Sequence, residues 1–233
     1  SNPNIVSNVL PNELQGKTSN YGLIEKDGKY RYVTTSGTIA TNTFLKDDSG
    51  NWYYVDSEGD FVNTPTVIDG RNYYFLSNGI SLRNVIIRNP DNSLNYYGNN
   101  GAMAKGNGYI YLDNIGKEIY VQKDGSLLVG FVKQGDTLHY YDDDGYQVKG
   151  EIINDNGVVR YFNSDQGDLV KDGYIIYNDN FYYAGPDGQL VTGLQNINGN
   201  EQFFDENGVQ QKGIIENING HNMYFDAKLG NLV

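Results

Sequence analysis

Two short stretches bring an amide, an ammonium and aromatic rings close together in the chain. Gln147 and Lys149 stand two and four residues past Gly145, and Gln210 and Lys212 stand two and four past Gly208. Alternate residues of an extended strand share a face, so each pair presents a glutamine amide beside a lysine ammonium. Tyr140, Tyr161, Tyr182 and Tyr224 lie in the flanking stretches. An amide and an ammonium bond hydroxyl groups, and a tyrosine ring offers an apolar face, so the set suits the C–H face and hydroxyls of a pyranose. The same Gln and Lys also fit the solvated side of a half-buried strand, and spacing alone leaves both readings open.

Catalytic chemistry has weaker support. His139 and His221 are the only histidines, far apart in sequence, and read as half-exposed strand residues. Acids gather at turns, as in Asp142-Asp143-Asp144-Gly145, Asp187-Gly188 and Glu206-Asn207-Gly208, where Asp and Asn serve turn geometry. Glycoside hydrolysis needs two carboxylates in an enclosed site with separated pKa values. The Asp triple lacks the spacing of a calcium loop. With no cysteine, neither disulfides nor thiolate metal sites hold the chain, and no cofactor is expected.

The elements that must position these residues repeat. Tyr140-Tyr141 precedes Gly145, Tyr161-Phe162 precedes Gly167, Tyr182-Tyr183 precedes Gly188, Phe203-Phe204 precedes Gly208 and Tyr224-Phe225 precedes Gly230, so the second aromatic recurs every 21 residues. The first half carries the pattern more loosely at Tyr32, Tyr54, Tyr74, Tyr97 and Tyr120. The unit at 116–130 has Ile119 in place of an aromatic, and Tyr109-Ile-Tyr-Leu112 supplies an extra strand beside it. A fixed period of this size marks a repeat protein whose units bury their apolar faces only by stacking.

Glycine interrupts every candidate helix. Stretches such as 138–150 read as an aromatic strand, an Asp-Gly turn and a second strand, with Asn156-Gly157, Asn198-Gly199 and Asn219-Gly220 joining one hairpin to the next. The expected fold is all-β: a β-solenoid of about ten stacked hairpins of roughly 21 residues across 21–233, after a tail or linker at 1–20.

Composition narrows the partners. The net charge of −12 repels phosphate backbones and anionic lipid surfaces, which argues against nucleic acid and membrane binding. No stretch is apolar enough to span a bilayer and no signal peptide stands at Ser1, so the expectation is a soluble piece of a longer secreted polypeptide.

Segments 193–213 and 50–59 (Gly-Asn-Trp-Tyr-Tyr-Val-Asp-Ser-Glu-Gly) resemble the cell-wall-binding and choline-binding-like repeats, and most of all the glucan-binding domain of bacterial glucansucrases of the dextransucrase type, glycoside hydrolase family 70. The resemblance implies a non-catalytic module that binds α-glucan or isomaltooligosaccharides in shallow pockets between hairpins. It would be extracellular, monomeric and attached to a larger enzyme, a sucrose-dependent glucosyltransferase. It further implies that Gln147 and Lys149 act with Tyr140 or Tyr161, and Gln210 and Lys212 with Tyr224, Tyr182 being a further sugar-binding tyrosine. Little is expected where Leu190 and Thr192, Leu169 and Lys171, or Met103 and Lys105 stand in place of Gln and Lys. The alternatives are a receptor- or cell-wall-binding array of a secreted toxin or surface protein, a spacer, and a choline binder. The last needs a cage of several aromatics, and Trp52 is the only tryptophan.

Overall fold

Each strand pair is closed by residues that tolerate a left-handed backbone. Asn156 and Gly157 have φ of 51° and 86°, and Asn198 and Gly199 have 52° and 86°. Two successive positive φ values make the tight turn whose twist matches the flanking strands. The Asn-Gly turns therefore lie within hairpins, not between them as the sequence suggests. The aromatic strand consequently pairs with the strand before it, from Glu151↔Phe162 to Asp155↔Val158.

The computed structural model describes residues 22–26 and 28–233; the expected tail at 1–20 lies outside them. Ten antiparallel hairpins follow one another, and no helix occurs among the described residues. The first four are β1 (Gly22–Lys26) with β2 (Lys29–Val33), β3 (Thr43–Lys46) with β4 (Trp52–Val55), β5 (Thr66–Ile68) with β6 (Arg71–Tyr73), and β7 (Val85–Arg88) with β8 (Leu94–Tyr97). The fifth pairs β9 (Gly108–Leu112) with β10 (Lys117–Val121), the extra stretch at 109–112 supplying the strand expected of it. Then come β11 (Gly130–Gln134) with β12 (Thr137–Tyr141), β13 (Glu151–Asp155) with β14 (Val158–Phe162), β15 (Gly173–Tyr177) with β16 (Asn180–Ala184), β17 (Gly193–Ile197) with β18 (Asn200–Phe204), and β19 (Ile214–Ile218) with β20 (His221–Phe225).

The chain divides into two compact units, one reaching to Ile110 and including Tyr120–Leu127, the other made of Tyr111–Ile119 and Leu128–Val233. Within each, the segment after a turn glycine links two hairpins. It bridges its own hairpin, as at Tyr141↔Gln147 and Phe204↔Gln210. It also bonds the hairpin before: in the second unit Gln147 N donates to Glu118 O, Leu169 N to Leu138 O, Leu190 N to Val159 O and Gln210 N to Phe181 O, at 2.7–3.0 Å. In the first unit Ser81 N donates to Trp52 O at 2.7 Å and Met103 N to Asn72 O at 2.8 Å.

The core follows the end of the second strand. Val55, Tyr141, Phe162, Ala184, Phe204 and Phe225 are fully buried there, and each large ring so placed stabilises by about 1.5–3 kcal/mol relative to exposure. Where that place is taken by Val55 or Ala184, the aromatic pair begins one residue earlier. Tyr53 and Tyr182 then turn into the core with 0% and 8% exposure. Register makes Tyr183 the counterpart of Tyr140: Tyr183 pairs with Tyr174, as Tyr140 does with Phe131, Tyr161 with Ile152 and Tyr224 with Ile215.

Candidate functional site

Gln147 and Gln210 occupy matching places, and both are only 7% exposed. The Gln147 amide donates to Gln166 O and that of Gln210 to Leu229 O, each at 2.9 Å. Each lies so close over the next turn that a Cβ on Gly167 or Gly230 would stand 2.5 Å from the amide nitrogen. Turn length accounts for these two positions. Gly167 N and Gly230 N donate to Asn163 O and Asp226 O, four residues back, whereas Gly145, Gly188 and Gly208 close their turns over three. The longer turn carries an extra carbonyl, and a buried carbonyl needs a donor. Ahead of the shorter turns, Leu169 and Leu190 fill the place and pack on Gly188 and Gly208.

The lysines reach across to the preceding hairpin. Lys149 Nζ lies 3.2 Å from Glu118 Oε2, both side chains about a quarter exposed. Lys212 Nζ sits 3.6 Å from the centre of the Phe181 ring and donates to Lys228 O at 3.4 Å. In the first unit Arg83 takes the same place, 4.5 Å over the Trp52 ring. The residue under each cation is the one whose carbonyl accepts the N–H two past the turn glycine.

The tyrosines differ in access. Tyr140 is half-buried with its ring 4.7 Å from Phe131 and 6.0 Å from Phe162. Burial, followed by the charges of Asp143, Asp155 and Asp142, raises its hydroxyl pKa. Tyr161 is half-buried 6.2 Å from Tyr177. Tyr182 is buried with Ile175, Ala184 and Leu190, which puts it beneath the surface. Tyr224 is 43% exposed.

Around Gln147 and Lys149 the second unit forms a cleft of about 290 Å³, lined also by Tyr111, Glu118, Asp142 and Ser164. Neither Tyr140 nor Tyr161 lines it. The ring at hand is Tyr111, 58% exposed, which sequence reasoning misses although the stretch 109–112 stands out as additional. Asp142 turns its own loop, its Oδ1 accepting from Asp144 N at 3.0 Å and Tyr146 N at 2.9 Å. Tyr224 stands on β20, and Gln210 and Lys212 on the segment before β19.

His139 is 6% exposed, not half-exposed as expected from the sequence. Its ring contacts Gln134 Oε1 through Nδ1 and Asp168 Oδ1 at 2.7 Å through Nε2, so it ties β12 to the turn after β14. His221 is exposed. Among the described residues no group of three or more His, Asp and Glu is placed to hold a metal.

A family model described as choline-binding repeat matches residues 62–107, 128–174 and 191–233, more than half of the chain. Glucosyltransferase-S of Streptococcus mutans serotype c is 37% identical over 208 residues, covering 88% of this chain and 14% of that protein. Glucosyltransferase-I of Streptococcus downei is 33% identical over 218 residues, covering 88% of this chain and 13% of its own length. The chain thus spans about a seventh of the curated relatives it matches. The crystal structure of choline binding protein F from Streptococcus pneumoniae, in the presence of a peptidoglycan analogue, superposes with a TM-score of 0.61 at 19% identity, covering 91% of this chain and 86% of that one. The fold and the matched repeats agree, and this chain belongs to the choline-binding repeat family.

Proposed function

We propose that the chain is a non-catalytic module that binds α-glucan of the dextran type, its hairpins stacked as a solenoid and joined as a monomer to a larger, extracellular sucrose-dependent glucosyltransferase. The observation that carries this reading is the 37% identity over 88% of the chain with a glucosyltransferase of which it spans 14%. A relative shared in this way points to an accessory segment of the enzyme. The groups in the cleft fit the reading: a glucosyl ring stacks on Tyr111 while Lys149, Asp142 and Ser164 meet its hydroxyls. At the other site Lys212 and Tyr224 take the corresponding parts. Gln147 and Gln210 act by holding the turns beneath, Tyr140 and Tyr161 by presenting ring edges, and Tyr182 by supporting Gly208 from the core.

A second reading, binding of choline or a choline-bearing wall polymer, draws on the family model and the fold likeness. It requires an open aromatic cage. The single tryptophan is covered by Arg83 at 4.5 Å and Lys46 at 5.6 Å, which disfavours that reading.

Affinity electrophoresis in gels with and without dextran tests the proposal. The chain is expected to be retarded by dextran, and Tyr111→Ala to weaken retention roughly five- to tenfold through the lost stacking. Unchanged mobility of the wild-type chain in dextran overturns it.

A further inference from the structure

The cation four residues past a turn glycine is engaged where the preceding hairpin offers a ring or a carboxylate, as Trp52 does for Arg83, Glu118 for Lys149 and Phe181 for Lys212. Lys105 differs. The residue in the matching place is Asn72, which accepts Met103 N through its carbonyl and directs its amide toward Met103 Sδ at 3.9 Å. Asn72 offers neither ring nor charge, and Lys105 is exposed.

Lys105 lines a cleft of about 670 Å³ contained in the first unit, a size within the roughly 300–1,000 Å³ of sites that hold small molecules. The sequence leads one to expect little here, because Met103 replaces the glutamine. Two turns bring the same device to this cleft. Asp91 Oδ1 accepts from Ser93 Oγ at 2.6 Å and Ser93 N at 2.9 Å, and Asp124 Oδ1 does the same with Ser126 at 2.6 and 2.9 Å. In both cases the serine hydroxyl is the chief cause of a lowered carboxyl pKa, with Lys105 contributing at Asp124. The carboxylates are thus charged acceptors, and their Oδ2 atoms bond no protein group among the described residues. Val67, 63% exposed, and Pro65 give the cleft an apolar side.

These groups select the ligand's charge. Two carboxylates repel an anion, and Lys105 together with the lack of a third acidic or histidine ligand among the described residues disfavours a bare cation. A neutral polyhydroxyl compound meets acceptors, a donor and an apolar wall at once. We propose that this cleft is a further carbohydrate-binding site, in which Lys105 donates to, and Asp91 and Asp124 accept from, the hydroxyls of a neutral sugar lying against Val67. The proposal rests on the reading of the chain as a glucan binder.

The test compares the full chain with Lys105→Ala and with Val67→Arg, which blocks the cleft without removing a hydrogen bond, in dextran gels and in isomaltotriose titrations followed by NMR. Far-UV circular dichroism verifies that each variant is folded. We expect Lys105→Ala to lower retention about tenfold, as for loss of a charged hydrogen bond, and Val67→Arg to abolish the isomaltotriose-induced shifts at Ser93 and Ser126. Retention of the wild-type chain with both folded variants unchanged overturns this site and leaves the glucan reading standing. Failure of dextran to retain the wild-type chain overturns both.

Discussion

Gln147 donates from its side-chain amide to the carbonyl of Gln166 at 2.9 Å, nineteen residues on, and in doing so lies over Gly167. Gln210 and Leu229 reproduce the arrangement at Gly230. In this chain glutamine accompanies a turn that is one residue longer. Gln147→Leu would supply the residue used before the shorter turns but leave Gln166 O without its donor. We expect a loss of about 1–3 kcal/mol, measured by urea denaturation, with dextran retention changed far less than by Tyr111→Ala.

Gly167 and Gly157 separate contact from backbone strain. Their φ values are 76° and 86°, but a Cβ at Gly157 meets nothing within 4 Å, whereas one at Gly167 stands 2.5 Å from Gln147 Nε2 and 3.1 Å from Val148 O. Gly157→Ala should cost on the order of 1 kcal/mol, the price of a left-handed alanine. Gly167→Ala should cost clearly more, and Gln147→Ala in the same chain should recover part of the difference, a coupling that a double-mutant cycle reads directly.

Acid should loosen the last turn. The Asp226 carboxylate accepts from Lys228 N at 2.8 Å, Leu229 N at 2.7 Å and Asn231 N at 2.7 Å, and the Leu229 bond is the chief cause of its lowered pKa. A carboxyl with a lowered folded-state pKa contributes stability that is full above the unfolded value of about 3.9 and is lost as pH falls through the lower folded value. The protection of the Leu229 and Asn231 amides, measured as exchange relative to the unfolded chain at the same pH, should therefore fall on acidification below about pH 4. Asp226→Asn should show the lower protection already at neutral pH.

Trp52 reports on the first unit alone, since no other tryptophan exists. With Arg83 and Lys46 on its ring, choline should leave its fluorescence unchanged, and Arg83→Met should increase its quenching by acrylamide. A saturable choline response would favour the second reading of function. If the two units unfold separately, the tryptophan transition and that seen by far-UV circular dichroism will not coincide.

Each site offers one ring or apolar wall and a few exposed hydrogen bonds, so single-site affinity is weak. A polymer that engages two sites gains because its second contact is intramolecular. Competition against dextran retention should rise steeply with isomaltooligosaccharide length. Combining Tyr111→Ala with Lys105→Ala should cost more than the two single losses together.

The period, the turn glycines and the all-β class are legible in the sequence because aromatic pairs and glycines repeat at fixed steps. The pairing of strands is not. Asn-Gly and Asp-Gly both mark turns, and only the positive φ at both Asn156 and Gly157 assigns that pair to the inside of a hairpin. Tyr182 reads as an outward ring because it begins an aromatic pair, but Ala184 at the end of the strand shifts the pair inward by one residue. The step of 21 from Phe162 to Tyr183 hides that shift, since Phe162 is followed by the longer turn. Tyr111 escapes sequence reasoning because its strand interrupts the regular spacing.

The backward bonds from each post-glycine segment have a consequence for how the chain is completed as it emerges. Trp52 O waits for Ser81 N, Glu118 O for Gln147 N and Phe181 O for Gln210 N, so each of these hairpins is closed locally but sealed only by its successor, about one and a half repeats later. Folding can therefore advance in step with synthesis, with contacts that stay short in sequence and little unpaired strand edge left behind the growing end.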